Sequence, residues 1–175
     1  MLLEKGMLDE VIIGMHLETD STIRVKITGW SMWPMIGDGT VVGIKPDRKN
    51  IKMGEIVLFR SSGRMITHRV VKTYSGIFTT KGDASIFFDS PVQEQDIIGK
   101  TVFIESEGRR INIDTSAWVL LNCILAYYSC TCGIILGKIL RDGVTTATRR
   151  STFFRIAGAI NILLPLFTYI VTRRF

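Results

Sequence analysis

The chain has 175 residues, 46% hydrophobic and 22% charged, with a net charge of +6. That length suits one domain plus an appendage, and the composition is globular and tilted toward membrane contact, which excludes a disordered polar chain. Residues 138–175 carry seven basic residues and one acidic residue and so account for the whole net charge. These basic residues flank long apolar runs, so they point to anionic lipid rather than nucleic acid.

Residues 1–20 read as a short amphipathic helix, because Leu8, Val11, Ile12 and Met15 recur at helical spacing. Asp9 and Glu10 interrupt the apolar stretch, which therefore does not read as a secretory signal peptide. His16 is expected at the surface or in a cap.

Residues 21–114 change to a short alternating pattern. In STIRVKITG, Ile23, Val25 and Ile27 alternate with charged residues, the mark of a half-buried strand. GTVVGIKP, KMGEIVLFRSS, GRMITHRVVKTYSG, IFTTKGDAS, IIGKTVFIES and RRINID follow, separated by Ser-Gly, Gly-Asp and Glu-Gly turn signals. Strands at this spacing predict a mainly β protein, a compact antiparallel β domain.

Residues 115–175 form a third segment, read as two apolar helices. TSAWVLLNCILAYYSCTCGIILG has no charge for 23 residues, and IAGAINILLPLFTYIVT has none for 17. About 20 helical residues cross a ~30 Å hydrocarbon core, so each run is a candidate span. Asn122, Asn161 and Pro165 equally suit helices that lie in the membrane interface or pack on the β domain. The boundary at Asp114 implies a β domain whose chemistry does not need its tail. The basic stretch 138–155 favours the cytoplasm if both runs span, and the side on which the β domain works is left open. Cys123, Cys130 and Cys132 lie in the first run without a nearby His. They read as buried thiols and not as a metal site.

Chemistry concentrates in the β region. Its one His is His68, and Asp83 and Asp89 follow downstream. Ser31 sits in the stiff stretch GWSMWPMIGDG, where Met32, Trp33, Pro34 and Met35 read either as the walls of a substrate groove or as core. Asp38 reads as a turn former. A serine hydroxyl needs a base in hydrogen-bond reach, and that base needs a partner that fixes its tautomer. Arg69, next to His68 on a strand, falls on the opposite face and is expected to be solvated. Lys72 falls on the His68 face by the same alternation. No cofactor or metal is implied.

Ser-Met-x-Pro, Gly-Asp, Gly-Glu-Ile-Val, Thr-His-Arg-Val-Val, Thr-Lys-Gly-Asp and Ile-Gly-Lys arrive in an order that closely resembles the type I signal peptidase family, from Gly29 to Lys100. His68 stands where one branch has Lys, so the resemblance is to the Ser–His branch of the endoplasmic reticulum and archaeal enzymes. The self-cleaving repressors and polymerase subunits share the fold but use Lys. The resemblance implies a membrane-associated serine endopeptidase that removes a leader or signal segment. Ser31 would be the nucleophile, His68 the general base, Asp89 its partner and Asp83 a supporting carboxylate. It implies a precursor peptide or protein as substrate and membrane lipid as a second partner, with no nucleic acid. Two features depart from the family. The apolar runs follow the β region instead of preceding it, and Ala84 stands where Gly-Asp-Asn is usual. A peptide-gripping module without catalysis, or a cytoplasmic leader peptidase for a small modified peptide, are the alternatives.

Overall fold

A computed structural model describes residues 22–143. The helix expected over residues 1–20, His16 with it, and the second apolar run lie outside the described residues.

Eight strands form one antiparallel sheet: β1 (Ile23–Lys26), β2 (Val41–Lys45), β3 (Ile56–Ser61), β4 (Arg64–Tyr74), β5 (Ile77–Lys81), β6 (Val92–Gln93), β7 (Ile97–Ser106) and β8 (Arg109–Asn112). The spatial order is β1-β2-β7-β3-β4-β5-β6, with β8 paired to β7. Seven of these strands lie where alternation and turn signals place them. The two-residue β6 is too short to show a period.

The tight turns follow from local chemistry. Ser62-Gly63, Ser75-Gly76 and Glu107-Gly108 all have positive φ at both residues. That geometry matches the twist of a two-residue hairpin, and glycine at the second position adopts it without a Cβ penalty.

β3 reads Ile56-Val57-Leu58-Phe59, and all four are buried. A strand buried on both faces needs a core on each side. Ile56 and Leu58 join the larger core with Met32, Met35, Ile36 and Ile44. Val57 and Phe59 join a second core with Val70, Phe78 and Ile97. Each such side chain contributes about 1.5–3 kcal/mol by leaving water.

One helix, α1 (Ser116–Gly143), follows the sheet. Its inner face presents Asn122, Leu125, Ala126, Ser129 and Gly133, all buried at helical spacing. Leu125 belongs to the larger core, and Trp118 and Leu121 pack against it. Gly54 lets the helix approach: a Cβ there would lie 2.8 Å from the Asn122 carbonyl carbon. The change of texture at Asp114 therefore does not divide the core. This packing follows the reading in which the first apolar run lies on the β domain.

Candidate active site

Ser31 sits at an exposed turn between β1 and β2. The turn is closed by Trp33 N–H donating to the Trp30 carbonyl (3.1 Å) and Ile36 N–H to the Met32 carbonyl (3.1 Å). Asp38 Oδ1 accepts from Gly29 N–H at 2.9 Å and ties the two ends together, in keeping with a turn former. Met32, Pro34 and Met35 point inward and are buried, and Trp33 is half-buried. These four residues are thus the anchor that holds Ser31 outward. Of the two readings open from the sequence, groove wall and core, this burial fits the core, because apolar side chains of a turn seated on a core lower their free energy by burying themselves.

Three elements bring their groups to Ser31. His68 Nε2 lies 3.0 Å from Ser31 Oγ. His68 Nδ1 lies 2.7 Å from Asp89 Oδ2. An ionised carboxylate only accepts, so Nδ1 carries the proton and Nε2 is left to accept from the hydroxyl. Thr80 Oγ1 donates to the same Asp89 oxygen at 2.8 Å, and Asp89 N–H donates to the Thr80 carbonyl at 2.9 Å. The imidazole is fixed edge-on against Phe59, with ring centroids 6.3 Å apart.

The Lys81–Ala84 stretch explains itself residue by residue. A Cβ on Gly82 would lie 2.5 Å from the Ser31 carbonyl oxygen and 3.1 Å from His68 Nε2, so this position must be bare. Ala84 N–H donates to the Ser31 carbonyl at 2.9 Å. The backbone makes that bond, so it needs no particular side chain at Ala84.

Asp83 does not join His68. It is buried and takes both Arg69 Nε and Arg69 Nη2, each at 2.8 Å. Arg69 is fully buried on the face opposite His68, which corrects the expectation that it is solvated. Alternation places Arg69 on the right face, but α1 covers that face. Its Nη1 also donates to Asn122 Oδ1 (2.7 Å) and to the Gly54 carbonyl (3.0 Å). Lys81, equally buried, donates to Ser129 Oγ at 2.8 Å. Burial pushes its ammonium down to about 8, only partly offset by the nearby Asp83 charge.

Lys72 is exposed and does not share the His68 environment. A bulge between Val70 and Lys72 inserts Val71 into β4 and shifts the alternation by one. The three cysteines are free and half-buried.

A cleft of about 670 Å³ opens beside Ser31 and His68. Residues 23–28 form one wall and residues 64–68 the other, with Leu58 between. Both walls are unpaired strand edges among the described residues. β1 ends the sheet. β5 joins β4 only from Arg69 onward, which leaves Arg64–His68 open on that side.

The family model described as Peptidase S24-like matches residues 4–102, more than half of the chain. The chain belongs to the Peptidase S24-like family. The S24-like match takes in Ser31, His68, Asp83 and Asp89, supports a serine-peptidase type of fold, and ends before α1. No curated protein matches the chain.

The sequence reading missed Thr80, Gly82, Asn122 and Ser129. Thr80 had a signal: it alternates with the inward Lys81 and lies on the His68 face. Asn122 and Ser129 also had one, as two polar residues seven apart, which places them on one face of a mostly apolar helix.

Proposed function

We propose that this S24-like protein is a serine endopeptidase of the Ser–His type that cuts a leader or signal segment from a precursor peptide at a lipid surface. The observation that carries the reading is the hydrogen-bonded chain Ser31–His68–Asp89 opening on a cleft between two free strand edges. His68 Nε2 takes the Ser31 proton as Oγ attacks the scissile carbonyl, and the imidazolium that forms is held by Asp89. Backbone N–H groups, Ser31's own among them, receive the oxyanion. Collapse of the tetrahedral species returns the proton from His68 to the leaving amine, and water then repeats the sequence on the acyl-enzyme. Asp83 supports the site from the helix face, where it holds Arg69.

Substrate enters as an extended strand between β1 and residues 64–68 of β4. Two open edges can supply main-chain hydrogen bonds to both sides of such a strand, and alternate side chains then meet the half-buried Val25, Ile27 and Met65. An intact hydroxyl, imidazole and carboxylate favour cutting over simple gripping.

The lipid surface is proposed from α1. Ser116–Ile135 has a mean hydropathy of 1.6 with 28% of the stretch buried. Leu120, Ile124, Tyr127, Ile134 and Ile135 are exposed on its outer side. The inner side is committed to Arg69 and Lys81, so a bilayer that enclosed this stretch would have to enclose those strands too. An interfacial position for this stretch satisfies both sides.

The test incubates the full chain, in detergent and on anionic vesicles, with leader-bearing precursor peptides and maps products by mass spectrometry. A single cleavage that Ser31→Ala abolishes supports the reading. Cleavage that survives Ser31→Ala overturns it.

A further inference from the structure

Three residues of the His68 relay are adjacent in sequence to residues that touch α1. His68 precedes Arg69, which donates to Asn122 Oδ1 at 2.7 Å. Thr80 precedes Lys81, which donates to Ser129 Oγ at 2.8 Å. Asp89 follows Phe88, whose ring packs on Gly133 so tightly that a Cβ there would lie 2.7 Å from Phe88 Cζ. The relay members lie on β4, on β5 and in the loop after β5, and each of these elements has its own contact with the helix. In a strand, consecutive side chains point to opposite faces, so a contact on one face sets the height and tilt of the neighbour on the other.

The three contacts lie on one stripe of α1, at positions i, i+7 and i+11, and so act as a single rigid rail about two to three turns long. The rail is not required for a plain apolar seal. Leu125 and Ala126 already provide one. Asn122 and Ser129 instead place polar atoms in a buried interface, where a group left unpartnered is costly. Their hydrogen bonds are directional, so they fix where Arg69 and Lys81 stand as well as satisfying them.

We infer that Asn122, Ser129 and Gly133 of α1 are positioning residues for the Ser31–His68–Asp89 relay, and that the helix outside the family match sets the reactivity of the serine from the back of the sheet. The inference rests on the proposed Ser–His chemistry.

A fluorophosphonate probe, which forms a bond from its phosphorus to an activated serine Oγ and releases fluoride, reads this without a known substrate. The full chain in detergent is labelled over a range of probe concentrations and pH, and the labelled residue is mapped. Asn122→Ala and Ser129→Ala, with Gly133→Ala as the third variant, are expected to lower the maximal labelling rate about 10- to 100-fold, as a relay displaced by a fraction of an ångström would. The probe concentration for half-maximal rate should stay within about twofold, since the cleft itself is untouched. The pH profile of labelling should shift in the same variants. Asn122→Asp and Ser129→Thr, which keep an acceptor oxygen in place, should recover most of the rate. Partial unfolding lowers the labelled fraction but not the rate constant of the folded pool, so the two effects separate. Wild-type rates and an unchanged pH profile in all three alanine variants would overturn the inference. If wild type itself is not labelled at Ser31, the proposed function fails, a result distinct from the loss of the rail.

Discussion

The two faces of β4 and β5 carry similar chemical groups and are built for opposite ends. On the cleft face, His68, Thr80 and Asp89 make short hydrogen bonds beside an exposed hydroxyl. On the helix face, Arg69, Lys81 and Asp83 are sealed under α1. Two aspartates six residues apart thus meet different partners: Asp89 is half-buried against an imidazole, and Asp83 is fully buried against a guanidinium. Depth and partner separate their roles, while residue type does not. A proton can shuttle where a group can exchange with a substrate, whereas a sealed bidentate ion pair mostly holds geometry.

That contrast breaks most sharply at Ser31. Ser31→Ala should lower cleavage by roughly 10³-fold or more with the fold unchanged by circular dichroism. His68→Ala should match it, and Lys72→Ala should leave the rate as it is. Dependence on Lys72 in a cleavage assay would move the base to the other branch.

The aspartates provide a crossed test. Asp89→Asn should lower the rate about 10²- to 10⁴-fold while urea unfolding changes little. Asp83→Asn should instead lose about 3–5 kcal/mol of stability, because it leaves Arg69 buried without its charge partner. Equal effects of the two on both measurements would erase the distinction between the faces.

Gly82→Ala tests the distance between them. Its Cβ would press on the Ser31 carbonyl, and the rate should fall about 10- to 100-fold as the turn is displaced. A crystal structure of the variant should show Ser31 Oγ moved away from His68.

The smallest effect is on pH-dependent stability. Lys81 has its folded value lowered to about 8 from 10.5 by burial. Between those values the unfolded chain binds the proton more firmly, so stability rises with pH across that window and the full penalty stands below it. Lys81→Met should lack that rise, because it carries no proton to lose. Urea titrations at pH 7 and pH 10 measure it.

How much the sequence discloses follows the same division. Strands β1 to β5, β7 and β8 are legible because half-buried strands alternate, the doubly buried β3 is a short unbroken apolar run, and the hairpin turns need Gly after a small or polar residue. Ser31, His68 and Asp89 are legible as an ordered set through the family resemblance, and their convergence is geometric. What alternation cannot show is what covers a face. The partner of Arg69 sits at Asn122, 53 residues downstream, so a strand pattern alone makes Arg69 look solvated. The same holds for Lys72, whose face depends on the extra residue Val71. The cleft walls were missed for a related reason. An open edge is defined by where a neighbouring strand stops pairing, and alternation does not show that β5 ends at Lys81, opposite Arg69.

The two open edges also bear on how such a protein could be inhibited. Backbone groups that await a partner read chain shape before they read side chains. A short extended peptide mimic could therefore gain most of its affinity from its own amides and carry an electrophile at the position opposite Ser31. N-methylation of alternate amides in that mimic would remove the donors facing one wall at a time. The resulting loss of potency would report which wall, β1 or β4, holds the ligand in register.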